Sequence, residues 1–178
     1  MTDVGHLWAV GFDDMGRAAQ VRDQLARLGA TGCLVLLDTA VVVRYPDGSV
    51  TLDGQQFVPT SDRRGHSLAR FLAGLALGAP PLTGAAVGTL ARVCGVDPSC
   101  GLGIDENFIC AAERLMRPGS SALFLLDRVD NSDALLQGIR GLGGTVLKTS
   151  VDLKRAREVQ SALAAAAVGS REPREPRT

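Results

Sequence analysis

Aromatic side chains make up only 4% of this 178-residue chain, histidine occurs twice, and the charges cancel at 19 basic against 19 acidic. Balanced charge excludes a basic nucleic-acid surface and a polybasic lipid tether. Seventeen of the cations are arginine, which we attribute to coding bias rather than to phosphate recognition. The four cysteines, Cys33, Cys94, Cys100 and Cys110, are spaced too irregularly for a zinc ribbon or a CxxC redox pair. Only Cys94 and Cys100, flanking "GVDPS", are placed to meet, and buried or idle thiols are expected. The start, "MTDVGHLWAVGFDD", lacks a basic opening, a sustained apolar core and a cleavage site, so no signal peptide and a cytoplasmic location are expected. What remains, 46% hydrophobic and 21% charged, describes one globular domain able to bury a core, here placed at 1–168 with a disordered Pro-rich tail at 169–178.

The two ends of the chain repeat each other. Laying "LWAVGFDD" (7–14) over "SALFLLDR" (121–128) at an offset of 114 residues puts Asp13 on Asp127, Val21 on Leu135, Leu25 on Ile139, Leu28 on Leu142, Gly29 on Gly143 and Thr31 on Thr145. The apolar matches form one helical face, and the glycines fall where a helix end needs a left-handed residue. Each half therefore reads strand, Asp-bearing turn, helix, Gly stop, strand. "GCLVLLD" (32–38) supplies the second strand, and "AVVVRYPDGSVTLDG" (40–54) reads as a hairpin turning at Pro46, Asp47 and Gly48. "GTVLKTSVD" is the closing strand, followed by a helix over 152–167 with Leu153, Ala156 and Leu163 on one side. The expected fold class is α+β: a ferredoxin-like duplicated βαβ sandwich, antiparallel, with helices on one face.

The middle, 55–119, is too long for a plain connection. "IDENFICAAERLMRPG" predicts an amphipathic helix with Asp105 as N-cap, Phe108, Ala112 and Leu115 on one face, and Pro118-Gly119 as its stop. Before it, "FLAGLALGAPPLTGAAVGTL" (71–90) is twenty residues without a charge. Ala79-Pro80-Pro81 breaks it into an inserted apolar helical hairpin over 66–95, with arms near 66–78 and 82–94. Each arm carries a small-residue ladder, Gly74 and Gly78, then Gly84 and Gly88. Interior glycine costs about 1 kcal/mol against alanine, so its repetition implies close approach by another helix. A spanning helix needs about 20 apolar residues, and each arm offers about 13, with Arg70 and Arg92 in the outer turns, so a complete crossing is not expected. Three readings remain: a re-entrant hairpin at the cytoplasmic membrane face, a hairpin buried between subunits, or a cover on the chain's own sheet. Weak amphipathicity argues against the last as a complete account, since one sheet face cannot cover helices apolar nearly all round.

Candidate chemistry is thin. Asp13 and Asp14 could hold a divalent cation, yet Asp between strand and helix is an ordinary N-cap, and Asp127 would do the same job in the second half. His6 and His66 have no nucleophile beside them and read as surface residues. "RPGSSALF" lacks the GxSxG elbow and reads as turn chemistry, and "CGLGIDEN" lacks the strand, glycines and lysine of a phosphate loop. No catalytic residue, metal ligand or cofactor site is assigned.

"AVGFDD", "AVVVRYPDGSV", the Gly/Ala hairpin, "GIDENFI" and above all "RPGSSALFLL" resemble a bacterial family, domain of unknown function 1269, over about residues 7–165. The resemblance implies a cytoplasmic-facing domain tied to an apolar hairpin, usually labelled a membrane protein, with no established activity. The expected function is a non-enzymatic, self-associating structural or interaction protein. Its contacts to other copies or to the bilayer would be Phe71, Gly74, Gly78, Pro80, Pro81, Gly84 and Gly88. The alternative is a small-molecule or metal-binding regulatory module of ferredoxin-like fold. The expected partner is the chain itself, with lipid as a second surface and no nucleic acid.

Overall fold

The computed structural model describes residues 3–32, 34–56, 69, 72, 73, 101–128, 132–159 and 161. In chain order they form β1 (Val4–Phe12), α1 (Arg17–Ala30), β2 (Leu36–Arg44), β3 (Val50–Leu52), β4 (Gln55–Gln56), α2 (Glu106–Leu115), β5 (Ser120–Arg128), α3 (Ser132–Ile139) and β6 (Thr145–Asp152). Residues 153–159, which we label α4, are helical as well. One six-stranded sheet runs β4-β3-β2-β5-β1-β6, and every neighbouring pair is antiparallel. The fold class is therefore α+β.

β5 and β1 lie at the centre, paired from Gly5↔Arg128 to Phe12↔Ser121. Their sequences are nearly unbroken apolar runs, and β5 is buried at every position but its last. Such a run, without alternation, suits a strand covered on both sides. Trp8, Val10, Phe12, Leu123 and Leu125 point to one side, where Ala18, Val21 and Leu25 of α1 and Leu135 and Ile139 of α3 meet them. Leu7, Ala9, Val42, Phe124 and Leu126 point to the other, against Phe108 and Ala112 of α2, Leu153, Ala156 and Val159 of α4, and Ala69, Leu72 and Ala73. Each large side chain buried this way contributes about 1.5–3 kcal/mol.

Helices on both faces correct the expectation of helices on one face. Ala69, Leu72 and Ala73 are each 0% exposed, so at these three residues the chain covers its own sheet, a partial cover of the kind that weak amphipathicity allowed. Three residues facing a curved apolar surface need only a local stripe, whatever the character of the stretch beyond them. Phe71, Gly74, Gly78, Pro80, Pro81, Gly84 and Gly88 lie outside the described residues, as does the tail. Among the described residues, no helix is long and apolar enough to cross a membrane.

Two local expectations shift. Gly29 remains inside α1, and the left-handed residue that ends the helix is Gly32 at φ 76°. Gly143 does take φ 78°. The second strand is 36–44 rather than 32–38 and doubles as the first arm of the hairpin, whose turn closes through Tyr45 and Ser49, with Gly48 N–H donating to Tyr45 O. A further turn at Asp53-Gly54, both at positive φ (49° and 78°), leads into β4. Asp-Gly tolerates that mirror-image geometry, which matches strand twist. The N-cap at Asp105 is as expected, its side chain accepting from Asn107 N–H at 2.7 Å.

Candidate functional site

The one charged side chain fully inside the described molecule is Asp127, at 0% exposure near the end of β5. Its register partner on β1 is His6, and on β2 it faces Leu36. In phase with Leu123 and Leu125, Asp127 points to the α1/α3 side of the sheet. This corrects the sequence reading: the offset that matched Asp13 with Asp127 suggested a turn residue, whereas the strand runs on past it to Arg128. Asp13 and Asp14 are the exposed turn residues.

His6 Nδ1 lies 3.4 Å from Asp127 Oδ1 with its own side chain 13% exposed, so His6 is a partly buried partner rather than a surface group. The His6 ring meets Trp8 edge to face, with centroids 6.4 Å apart. Trp8, Lys148's cross-strand partner, carries the Lys148 ammonium 4.7 Å from its ring centroid, a cation–π contact. Neither the Asp127 carboxylate oxygens nor Trp8 Nε1 make a well-formed hydrogen bond. Burial pushes the Asp127 carboxyl above its usual range, and the Trp8 indole N–H, His6 and Lys148 act in the opposite direction. The result is a carboxylate with raised proton affinity beside an imidazole, able to hold or pass a proton. Among the described residues no group of three or more His, Cys, Asp or Glu converges as a metal would need.

The serines of "RPGSSALF" do structural work. Gly16, not Asp13 or Asp14, is the N-cap of α1 and offers no side chain; Asp14 Oδ1 accepts from Gly16 N–H at 2.7 Å. The α1 donor at Ala18 N–H is instead satisfied by Ser121 Oγ at 3.2 Å, which donates to Asp14 O. A buried strand residue thus caps a helix 103 positions away, a pairing that local sequence cannot display.

A third feature is the attachment of the apolar stretch. The β2–β5 register slips between Leu36 and Asp38. Asp38 stands in phase with Ala40 and Val42 on the α2/α4 side, where its Oδ2 accepts from Ala69 N–H at 2.9 Å, and beyond the irregularity Leu36 faces the α1/α3 side. In "CGLGIDEN", Gly101 and Gly103 take φ 63° and 79°. They lay the segment beside β6, where Leu102 O accepts from Asp152 N–H at 2.7 Å. With the Asp105 carboxylate already on Asn107 N–H, the start of α2 is no phosphate cradle. Cys110 is exposed with a free thiol; His66, Cys33, Cys94 and Cys100 lie outside the described residues.

No curated protein and no solved structure matches the chain. A family model described as "Protein of unknown function (DUF1269)" matches residues 66–164, a narrower span than the resemblance read from the sequence but more than half of the 178 residues. The match takes in the Ala69–Ala73 attachment, α2, β5, α3 and β6, and with them Asp127 and Ser121: the chain belongs to the DUF1269 family.

Proposed function

We propose that this protein is a non-enzymatic, self-associating structural or interaction domain whose copies meet through the Gly/Ala-rich stretch. The strand order β2-β5-β1-β6, with α1 and α3 on one side, supports reading the base as a ferredoxin-like duplicated βαβ sandwich. β3 and β4 extend it, and the stretch 66–95, read from the sequence as an inserted apolar hairpin, follows β4 in the chain. The observation that carries the proposal is the anchorage of Ala69, Leu72 and Ala73 in the core, with Asp38 on the Ala69 N–H. Gly74, the first rung of the ladder in the sequence, follows directly on Ala73, a residue held by the sheet. Its glycines leave room for a second helix backbone.

The test is to express the chain without detergent, separate soluble from membrane fractions and size the soluble part by light scattering. A discrete particle larger than one chain is expected, and Gly74→Leu with Gly84→Leu should lower its mass while the circular dichroism stays unchanged. An unaltered mass in that variant would sink the proposal. Recovery only in the membrane pellet, released by detergent and not by salt, would turn it toward the bilayer.

A second reading, a ligand-binding regulatory module, is favoured by the buried Asp127 carboxylate beside His6. It predicts thermal stabilisation by some metabolite or metal that Asp127→Asn abolishes, and a silent broad screen would count against it.

A further inference from the structure

The two edges of the sheet differ. At one end the described part of β4 is two residues, Gln55–Gln56. At the other, β6 runs for eight residues, Thr145 to Asp152, without proline and in unbroken register with β1. Two hydrogen bonds fix which way its backbone faces. Leu153 N–H donates toward the β1 side, to Asp3 O at 2.8 Å, whereas Asp152 N–H donates outward, to Leu102 O at 2.7 Å. N–H and C=O of one residue in an antiparallel ladder point the same way, and direction alternates along the strand. The outward set therefore includes Val146 with Asp152.

The 101–105 segment shields one half of this edge. Leu102 takes the Asp152 N–H, and Gly103 lies against Ser150 O and Asp152 N, each 3.9 Å from where a side chain at 103 would begin. That shield ends before Val146, whose outward N–H and C=O have no partner among the described residues. The Val146 side chain is 40% exposed. Unpaired strand edges recruit strands unless proline, a bulge or charge prevents it.

We propose that the open half of β6 pairs with the same half of a second copy, antiparallel about a twofold axis at Val146, so that two sheets become one. The register follows from the side chains. Centred on Val146, each valine faces its twin and exchanges two backbone hydrogen bonds with it, and Thr145 faces Leu147 of the other copy. Neither strand reaches the half held by Leu102 and Gly103. Centring the axis on Lys148 would set two ammonium groups opposite each other, a destabilising arrangement, and would push the second strand against Gly103. With the axis at Val146, each Lys148 stays over its own Trp8, 4.7 Å from the ring centroid. This contact is additional to the Gly/Ala stretch and does not depend on it.

The test uses sedimentation velocity on the full chain carrying Gly74→Leu and Gly84→Leu, which removes the ladder and leaves the β6 edge. A dimer is expected. Adding Val146→Lys keeps the backbone N–H and sets two ammonium groups face to face, and should raise the dimer dissociation constant roughly tenfold or more. Val146→Pro removes the outward N–H without touching the β1 ladder and should give monomer. A monomeric ladder variant overturns the proposal, and so does a dimer whose mass is indifferent to Val146→Lys. Should Val146→Pro fail to fold, Val146→Lys alone decides. If the ladder substitutions leave the wild-type mass unchanged, the failure belongs to the Gly/Ala reading, and Val146→Lys on the wild-type chain still tests the edge.

Discussion

On the α1/α3 side of the sheet the apolar core ends against a buried carboxylate, Asp127, with His6 Nδ1 at 3.4 Å and no well-formed hydrogen bond; on the α2/α4 side most polar groups that reach the core find partners, the Arg44 Nε excepted. Asp38 accepts from Ala69 N–H, Arg44 Nη1 donates to Met116 O at 2.8 Å, and Thr149 Oγ1 accepts from Asp105 N–H at 3.1 Å. Asp127 and the Trp8 indole have no such bonds. Buried polar groups are nearly always satisfied, because leaving one unpaired costs about 1–3 kcal/mol. The α2/α4 layer, assembled from distant segments, ties most of its polar groups into hydrogen bonds. The α1/α3 layer holds the fully buried carboxylate, the pattern of a site kept for a purpose other than stability.

The largest effect should come from testing whether the two sides are both true cores. Phe124 and Leu125 are neighbours on β5 that point to opposite sides, at 1% and 0% exposure. Phe124→Ala should cost about 3–5 kcal/mol and Leu125→Ala about 2–5 kcal/mol in urea unfolding. Were the α2/α4 side the open face of a two-layer sandwich, Phe124→Ala would cost under about 1 kcal/mol. Next comes the α1/α3 seam, where Gly138 is the point of closest approach. A Cβ there would stand 3.1 Å from Leu25 Cδ2 and 3.2 Å from Leu28 Cδ1. Gly138→Leu should therefore cost about 1–3 kcal/mol by overpacking, and an unchanged melting midpoint would show that the helices have room to separate.

These contrasts bear on what the sequence could reveal. The helical faces of Val21 and Leu25, of Leu135 and Ile139, and of Phe108 and Ala112 were legible because 3.6-residue spacing is local information. So were the Asp105 cap and the turn at Gly48. Coverage of both sides was also written there, in the unalternating "SALFLL", but the ferredoxin-like pattern, which leaves one face open, obscured it. Asp127 was misread because matching the two segments residue by residue carried the turn of Asp13 onto a strand that, at that offset, continues past the aligned end to Arg128. The Ser121 cap, the Asp38 attachment and the cross-strand pairing of His6 with Asp127 were not legible. Each depends on register between strands far apart in the chain, which no local spacing encodes.

A smaller effect follows from the Asp127 environment and runs with pH. The native state raises the carboxyl's affinity for a proton, so it holds that proton more tightly than the unfolded chain does. Its contribution to stability is fully present below the unfolded carboxylate range near 4 and is lost as pH rises through the elevated native value. Asp127→Asn removes the buried charge while keeping the shape. At neutral pH the variant should match or exceed the wild type by about 1 kcal/mol, and the difference should shrink on acidification. A variant less stable than wild type at neutral pH, with a gap that closes in acid, would mean that His6 holds the carboxylate as a net favourable ion pair.

The smallest effect should sharpen the comparison from the other side. Asp38→Ala removes the acceptor for Ala69 N–H but leaves the apolar contacts of Leu72 and Ala73 in place. A capping acceptor of this kind is worth about 0.5–2 kcal/mol, and Asp38 also accepts from Thr39 N–H at 2.8 Å. Global stability should fall by about 1 kcal/mol. Amide exchange at Ala69 should speed up by more than that loss alone accounts for, because local opening of the attachment no longer requires the sheet to open. If exchange at Ala69 rises only in step with global unfolding, the attachment opens with the sheet, and the base from which the Gly/Ala stretch departs belongs to the same cooperative unit as the core.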